Sequence, residues 1–220
     1  MSTILTPIEV RVLGSLIEKQ ITTPEYYPLT LNALTLACNQ KNNRHPVTSF
    51  TEAEIEQALD SLREKNLAYV FHGSTSRVPK YKHVMPEIFQ LDPSELAVMC
   101  VLMLSGAQTV GEIRTRASRL HNFSGLEEIE HTLHSLGAKE PEALATKLPR
   151  QTGQKEVRFA HLLSGEVKIE QPTDEQSRSR STRRSSDTER LEKLEQQVEA
   201  LSADVGSLLQ QFQDFRKQFE

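Results

Sequence analysis

One pattern occurs twice in this sequence and restricts the possible folds more than any other feature. Residues 55–62 read IEQALDSL and residues 129–136 read IEHTLHSL. Both copies have the same spacing, with matching residues at i, i+3, i+4 and i+7, which lie on one face of a helix. Self-similarity of this kind indicates an internal structural repeat. We therefore interpret the two segments as the same helix in two similar units.

The helices that precede this repeated helix are predicted from matching start signals. Segments 6–9 and 92–95 each combine a capping box with proline at the first helical position. A short second helix is expected after Thr30 and after Thr109. The second of the two long first helices is apolar on nearly every side, which predicts that it is fully buried.

The repeated third helix has its own start signals. Thr51 with Glu54, and Ser124 with Glu127, have the three-residue spacing of a capping box. A phenylalanine precedes each, where a hydrophobic staple belongs. We expect the third helices to begin directly after Thr51 and Ser124.

A hairpin is predicted after each third helix, because the apolar period changes to two. The strands are expected at 67–71 and 78–84, and at 144–148 and 157–161. Pro79 lacks an N–H group and therefore favours an edge strand. Three helices followed by a hairpin is the order of a winged helix-turn-helix domain. The predicted fold is mainly α with small β wings, in two tandem winged-helix domains at 1–86 and 87–165.

The remaining sequence is predicted to contain a flexible Ser/Arg-rich linker at 166–188 and a coiled-coil helix at 189–220. In the second segment apolar residues alternate spacings of three and four, which favours self-association. The alternative is that this helix packs on the domains of its own chain. The seam positions are Leu191, Leu194, Val198, Leu201, Val205, Leu208, Phe212, Phe215 and Phe219.

Catalytic and metal-binding patterns are weak. Cys38 and Cys100 are isolated, which is typical of a reducing compartment and of buried small apolar residues. Glu127, His131 and His134 share a helix face, but no further ligand accompanies them at a fixed spacing. Motifs for a catalytic nucleophile or a phosphate-binding loop are absent from the sequence. We predict no enzymatic activity, no cofactor and no metal.

A signal peptide and a membrane-spanning run of apolar residues are also absent from the sequence. The expected location is therefore cytoplasmic.

Positive charge concentrates in both predicted wings, although the whole chain has a formal net charge of -4. Residues 72–86 and residues 144–163 each carry a net charge of +3, and Tyr81 stands between two lysines of the first wing. The second helix of the second unit adds three arginines. Local basic patches of this kind are typical of double-stranded DNA binding. The candidate contact residues are Arg77, Lys80, Lys82, Arg114, Arg116, Arg119, Lys147, Arg150, Lys155 and Arg158.

The third helices argue against major-groove reading. Residues 51–65 carry a net charge of −3, and acidic residues recur at 127–130. Because carboxylates are repelled by phosphates, wings should dominate any DNA contact. The opposite interpretation is that these are ordinary solvated helix faces.

A long polar stretch, 39–49, separates the second and third helices of the first unit. It could place Lys41 and Arg44 on phosphates or on a protein partner. It could equally be a hydrogen-bonded loop without such a role.

Five segments carry distinctive motifs, which are TTPEYYPLTLNAL at 22–34, ACNQK at 37–41, PKYKH at 79–83, QTVGE at 108–112 and PRQ at 149–151. Together they resemble the YceH family of uncharacterised bacterial proteins. The resemblance covers roughly residues 4–163 and implies tandem winged-helix domains. It supplies no catalytic or binding residue.

Two functions are compatible with these observations. The first is a DNA-associating protein, regulatory or architectural, whose basic wings act together after self-association. The second is a scaffold whose winged helices bind a protein partner, which the acidic third helices favour.

Overall fold

Each half of the computed structural model contains three helices and then an antiparallel hairpin, in the order that the sequence repeat predicts. The structure describes residues 4–72, 78–150 and 156–165. The predicted linker and coiled-coil helix, with all nine seam positions, lie outside the described residues. So do Arg77 and Lys155.

The first half builds a three-stranded antiparallel sheet beside its helices, with strand order β1-β3-β2. A short strand before the second helix, which sequence analysis did not predict, also pairs with β3. The edge position expected from Pro79 is therefore wrong, because β3 is the central strand and Pro79 lies just before its first paired residue, Lys80. The elements are α1 (Pro7–Thr22), a 3-10 helix (Pro24–Tyr26), β1 (Leu29–Thr30), α2 (Leu31–Cys38), α3 (Glu52–Glu64), β2 (Ala68–Phe71) and β3 (Lys80–His83).

The second half repeats this order with a smaller sheet. Gln108 pairs with Phe159 in an isolated bridge, at the place that β1 takes in the first half. A short helix, α4, spans residues 86 and 87, where the boundary between the two domains is predicted. That domain boundary stays a prediction. The elements are α4 (Met85–Phe89), α5 (Pro93–Ser105), α6 (Val110–Ala117), α7 (Leu126–Gly137), β4 (Ala145–Lys147) and β5 (Phe159–His161).

Most of the predicted helix starts are confirmed by their side-chain caps. Capping boxes form at Thr6, Thr51, Asp92 and Thr109. The box expected between Ser124 and Glu127 is wrong. Helix α7 begins at Leu126 with extended Gly125 as its N-cap, so the Ser124 amide and hydroxyl donate to Glu128 instead, both at 2.7 Å. Because the helix starts later than predicted, the glutamate within reach of the Ser124 amide is Glu128 rather than Glu127.

The internal repeat is visible in matching polar contacts as well as in the order of elements. In each half the capping-box glutamate of the first helix also pairs with a lysine just beyond the third helix, and a serine of that helix lies beside the same carboxylate. The groups are Glu9 with Ser61 and Lys65, and Glu95 with Ser135 and Lys139. The two serines occupy the same place in the repeated octapeptide, so the sequence similarity reflects one packing arrangement used twice.

Helices α1 and α5 lie against each other, and their side chains belong to one buried core cluster. Both halves belong to one compact unit, residues 1–167. Helix α5 is buried from Glu95 to Ser105, as predicted, and Cys38 and Cys100 are fully buried. Burial raises the pKa of the Cys38 thiol to about 11, so it stays protonated at neutral pH.

Helix α1 is more completely buried than its single apolar stripe predicts. Its polar side chains Arg11, Ser15 and Glu18 are also buried, because α5 and the 39–49 loop cover faces that an isolated amphipathic helix would expose to water. Within the described ranges, no helix is long and apolar enough to cross a membrane.

Candidate nucleic-acid interface

The outward surface of the first hairpin combines two aromatic rings with two lysines. Register places Tyr69 opposite Lys82 and Phe71 opposite Lys80. Successive side chains of a strand point to opposite faces, so these four residues share one face. Tyr69 and Phe71 are each 45% exposed. We call Tyr69, Phe71, Lys80 and Lys82 the aromatic–lysine face.

This hairpin is attached firmly to the end of α3. Asn66 adopts a left-handed conformation with φ 57°, which turns the chain immediately after the helix. The Leu67 amide then donates to the Leu62 carbonyl at 2.8 Å, and the Val84 amide donates to the Leu67 carbonyl at 3.1 Å. These bonds fix where the hairpin emerges and therefore the direction of its outward face.

Tyr81 was expected among the wing lysines, but its side chain lies on the other face. It is 7% exposed and belongs to the core cluster. Burial raises the pKa of Tyr81, and the negative charges of Glu56 and Asp60 on α3 raise it further. The acidic helix therefore lies on the side of the sheet opposite the aromatic–lysine face.

Sequence reasoning missed Tyr69 and Phe71 as candidate contact residues. The signal was present, because the two aromatic residues stand two positions apart in the strand. Only the register shows that their outward face also carries Lys80 and Lys82, with Tyr81 turned inward.

The second hairpin offers fewer free cations than its composition suggests. Lys147 and Arg150 are exposed. Arg158 instead donates to both carboxylate oxygens of Glu112, each at 2.9 Å, and to the Ala107 carbonyl at 2.8 Å. Burial opposes ionisation of Glu112, but the Thr109 amide and Arg158 outweigh it and lower the pKa of this carboxyl.

The three arginines of the α6 region do not form one basic cluster. Arg114 is exposed, whereas Arg116 Nε donates to Gln108 Oε1 at 3.0 Å. Arg119 forms an ion pair with Glu18 of α1. Of the predicted contact residues that the structure describes, the best placed are therefore Lys80, Lys82, Arg114, Lys147 and Arg150.

The acidic character of the third helices is confirmed as a surface property. The exposed carboxylates of α3 belong to Glu52, Glu54, Glu56, Asp60 and Glu64. Arg63 on the same surface donates to Asp60 at 2.8 Å. In α7 the exposed acidic residues are Glu127 and Glu130. A phosphate backbone would meet negative charge on both helices.

The 39–49 loop folds inward at Arg44. This side chain is 5% exposed and donates to the Ala37 carbonyl at 2.9 Å and to the carboxylate of Glu18. Arg44 is therefore not placed to contact phosphates, whereas Lys41 is exposed. The sequence left open whether this loop contacts a phosphate or a partner, or is only a hydrogen-bonded loop. The contacts of Arg44 support the hydrogen-bonded loop.

A groove of about 830 Å³ lies between α7 and the second hairpin. Leu126, which is 45% exposed, and Phe159 contribute apolar surface, and the rim carries Lys147, Glu130 and Glu156. In the parts of the chain that the structure describes, no group of His, Cys, Asp or Glu side chains is arranged to hold a metal ion.

Residues 5–154, which include the whole first hairpin and strand β4 of the second, match the family described as "Protein of unknown function, DUF480". The chain belongs to this family. A UPF0502 protein of Opitutus terrae is 56% identical over 76% of this chain and 72% of its own length. UPF0502 proteins of Geotalea uraniireducens and Geobacter sulfurreducens are 49% and 47% identical, and the alignments cover 98% and 100% of both chains. The similarity to these two relatives thus extends beyond residues 5–154 and through the C-terminal sequence.

Proposed function

We propose that this DUF480 protein is a non-enzymatic tandem winged-helix protein that associates with DNA in a regulatory or architectural role. The order of three helices and an antiparallel hairpin in both halves supports the winged-helix assignment. The aromatic–lysine face carries the functional proposal. It combines positive charge with stacking surface, and none of the residues of β2 and β3 is acidic.

The binding mode follows from the positions of the charges. The α3 surface is acidic and lies across the sheet from the aromatic–lysine face, so the face can approach phosphates while α3 points away from them. Exposed Lys147 and Arg150 of the second hairpin supply further phosphate contacts. Wing contacts to phosphate give affinity with little sequence preference.

The test is binding of the full chain to a random-sequence duplex over a salt series. Each phosphate contact contributes a slope of about 0.9 in log affinity against log salt. The double substitution Lys80→Ala and Lys82→Ala should flatten that slope by about two contacts' worth. Absence of binding at low salt to both this duplex and single-stranded DNA would overturn the proposal.

Arg63→Ala is the matched control, because it removes an exposed cation from α3 rather than from the hairpin. It should leave the slope unchanged, and Glu52→Gln and Glu56→Gln should not weaken binding. A flattened slope in Arg63→Ala alone would mean that α3, and not the wing, contacts the duplex.

A second candidate function is a protein-binding scaffold, which the groove between α7 and the second hairpin favours. It joins apolar Leu126 and Phe159 to a rim of both charges, a composition suited to a peptide. A photo-crosslinking residue at position 134, on the groove wall, would then capture polypeptide in cells. Capture of nucleic acid at this position would contradict the scaffold.

We also propose self-association through the heptad pattern of residues 189–220, which would let several weak wing contacts act together. Light scattering of a chain ending at Gly165 should report fewer protomers than the full chain. An unchanged number of protomers would contradict this assignment.

A further inference from the structure

We infer that the aromatic–lysine face binds unpaired nucleotides, stacking bases on Tyr69 and Phe71 while Lys80 and Lys82 hold the phosphates. This inference rests on the proposed association with nucleic acid and names the ligand class of the same surface. It depends on the arrangement of the four side chains and on the chemical difference between single strands and duplexes.

The two rings have no evident role in folding. Tyr69 and Phe71 are the exposed half of β2, whereas Ala68 and Val70 face the protein. The buried core of the described residues contains neither ring. The two large aromatic side chains are neighbours on one exposed strand face, so both rings are accessible to a ligand from the same side.

The spacing suits an extended polynucleotide. Residues two apart on a strand are separated by about 6.7 Å, and directly opposite residues on neighbouring strands by about 5 Å. Each ring therefore has a lysine directly across the ladder and a second ring one step along it. A strand of nucleic acid that places a base on each ring would bring its intervening phosphates within reach of both ammonium groups.

The rings also decide between single strands and duplexes. In a duplex each base face is covered by its stacked neighbours, so Tyr69 and Phe71 would meet sugars, phosphates and base edges but no free base face. In a single strand the bases can splay out and stack on aromatic side chains. Lysines alone would serve either ligand, but the two rings are of use only to unpaired bases.

The experiment compares fluorescence anisotropy of the full chain with labelled oligothymidine of about 15 nucleotides and with a duplex of the same length. Titrations run from about 50 to 200 mM salt. We expect tighter binding of oligothymidine than of the duplex. Tyr69→Leu and Phe71→Leu, which keep apolar bulk but remove the ring, should each weaken oligothymidine binding by about tenfold and leave duplex binding unchanged.

Tyr69→Phe is the matched control, since it retains the ring and should bind oligothymidine like the unsubstituted protein. Equal or tighter binding of the duplex, or unchanged oligothymidine binding in both leucine variants, would overturn this inference alone. If neither oligonucleotide binds at the lowest salt, both this inference and the proposed function are wrong.

Discussion

Arg44 of the 39–49 loop donates to the Glu18 carboxylate of α1 at a position where both side chains are inaccessible to water, with side-chain exposures of 0% and 1%. Burial opposes ionisation of Glu18. The hydrogen bonds and charge of Arg44, with the charge of Arg119, outweigh it and hold the pKa of Glu18 below its usual range. One carboxylate of α1 thus anchors both the loop and the end of α6.

Replacing Arg44 should therefore destabilise the fold strongly. Arg44→Ala leaves Glu18 charged in a buried site without its main partner, and breaking a buried pair in this way costs about 3–5 kcal/mol. Urea unfolding of the full chain measures this loss as a lower midpoint. Lys41→Ala, in the same loop but exposed, should change the free energy of unfolding by less than about 0.5 kcal/mol. Equal midpoints for the two variants would show that the buried pair contributes nothing.

Gly14 is expected to be irreplaceable by a large side chain. A Cβ at this position would lie 3.0 Å from the Leu104 side chain and 3.2 Å from Met103 Cβ, both on α5. Gly14→Leu should lower the free energy of unfolding by about 3 kcal/mol, because overpacking forces α1 and α5 apart. Gly111→Leu in α6, where an added Cβ meets nothing within 4 Å, is the matched control and should be close to neutral. Similar melting temperatures for both leucine variants would contradict close α1–α5 contact.

The sequence was sufficient to predict elements whose signals are local. Thr6 and Asp92 cap their helices as expected, since a capping box depends only on residues three apart. The burial of Arg11 and Glu18 could not be predicted in this way. It depends on α5 and the 39–49 loop, which are distant in sequence and cover the polar side of α1.

The candidate site was predicted in part for the same reason. Composition located the basic hairpin, but the face that a side chain occupies is set by register. Tyr69 of β2 and Tyr81 of β3 both belong to this hairpin. Only the pairing of these two strands shows that Tyr81 is buried and Tyr69 is exposed. The structure likewise shows that Arg158 forms an ion pair with Glu112. Counting the charges in the sequence does not reveal this contact.

Matching histidines in the two hairpins should make the fold sensitive to mild acid. His83 directly precedes Val84, whose amide donates to the Leu67 carbonyl at the start of the first hairpin. His161 directly precedes Leu162, whose amide donates to the Leu144 carbonyl at the start of the second hairpin. Burial lowers the pKa of each to about 4. Among the described residues, His83 Nε2 and His161 Nδ1 have no hydrogen-bond partner. Protonation would therefore place an unpaired positive charge in each hairpin.

The sign of the pH dependence follows from these lowered values. In the unfolded chain both histidines take up a proton near pH 6.5, whereas the folded protein resists protonation until about pH 4. Stability is thus fully present above pH 6.5 and declines below it, by about 2 kcal/mol per histidine between pH 7 and pH 5. Carboxyl groups whose pKa the fold lowers, such as Glu9 and Glu18, lose their stabilising effect mainly below pH 5, because their ordinary value is 4.5.

Urea unfolding at pH 7 and at pH 5 tests this expectation. His83→Asn keeps an acceptor for the Met85 amide, which donates to His83 Nδ1 at 3.3 Å, and should remove about half of the decline. His161→Gln should remove the other half. His131→Gln replaces an exposed histidine of α7 and should leave the decline unchanged. If the double variant loses as much stability between pH 7 and pH 5 as the unsubstituted protein, these two histidines are not the cause.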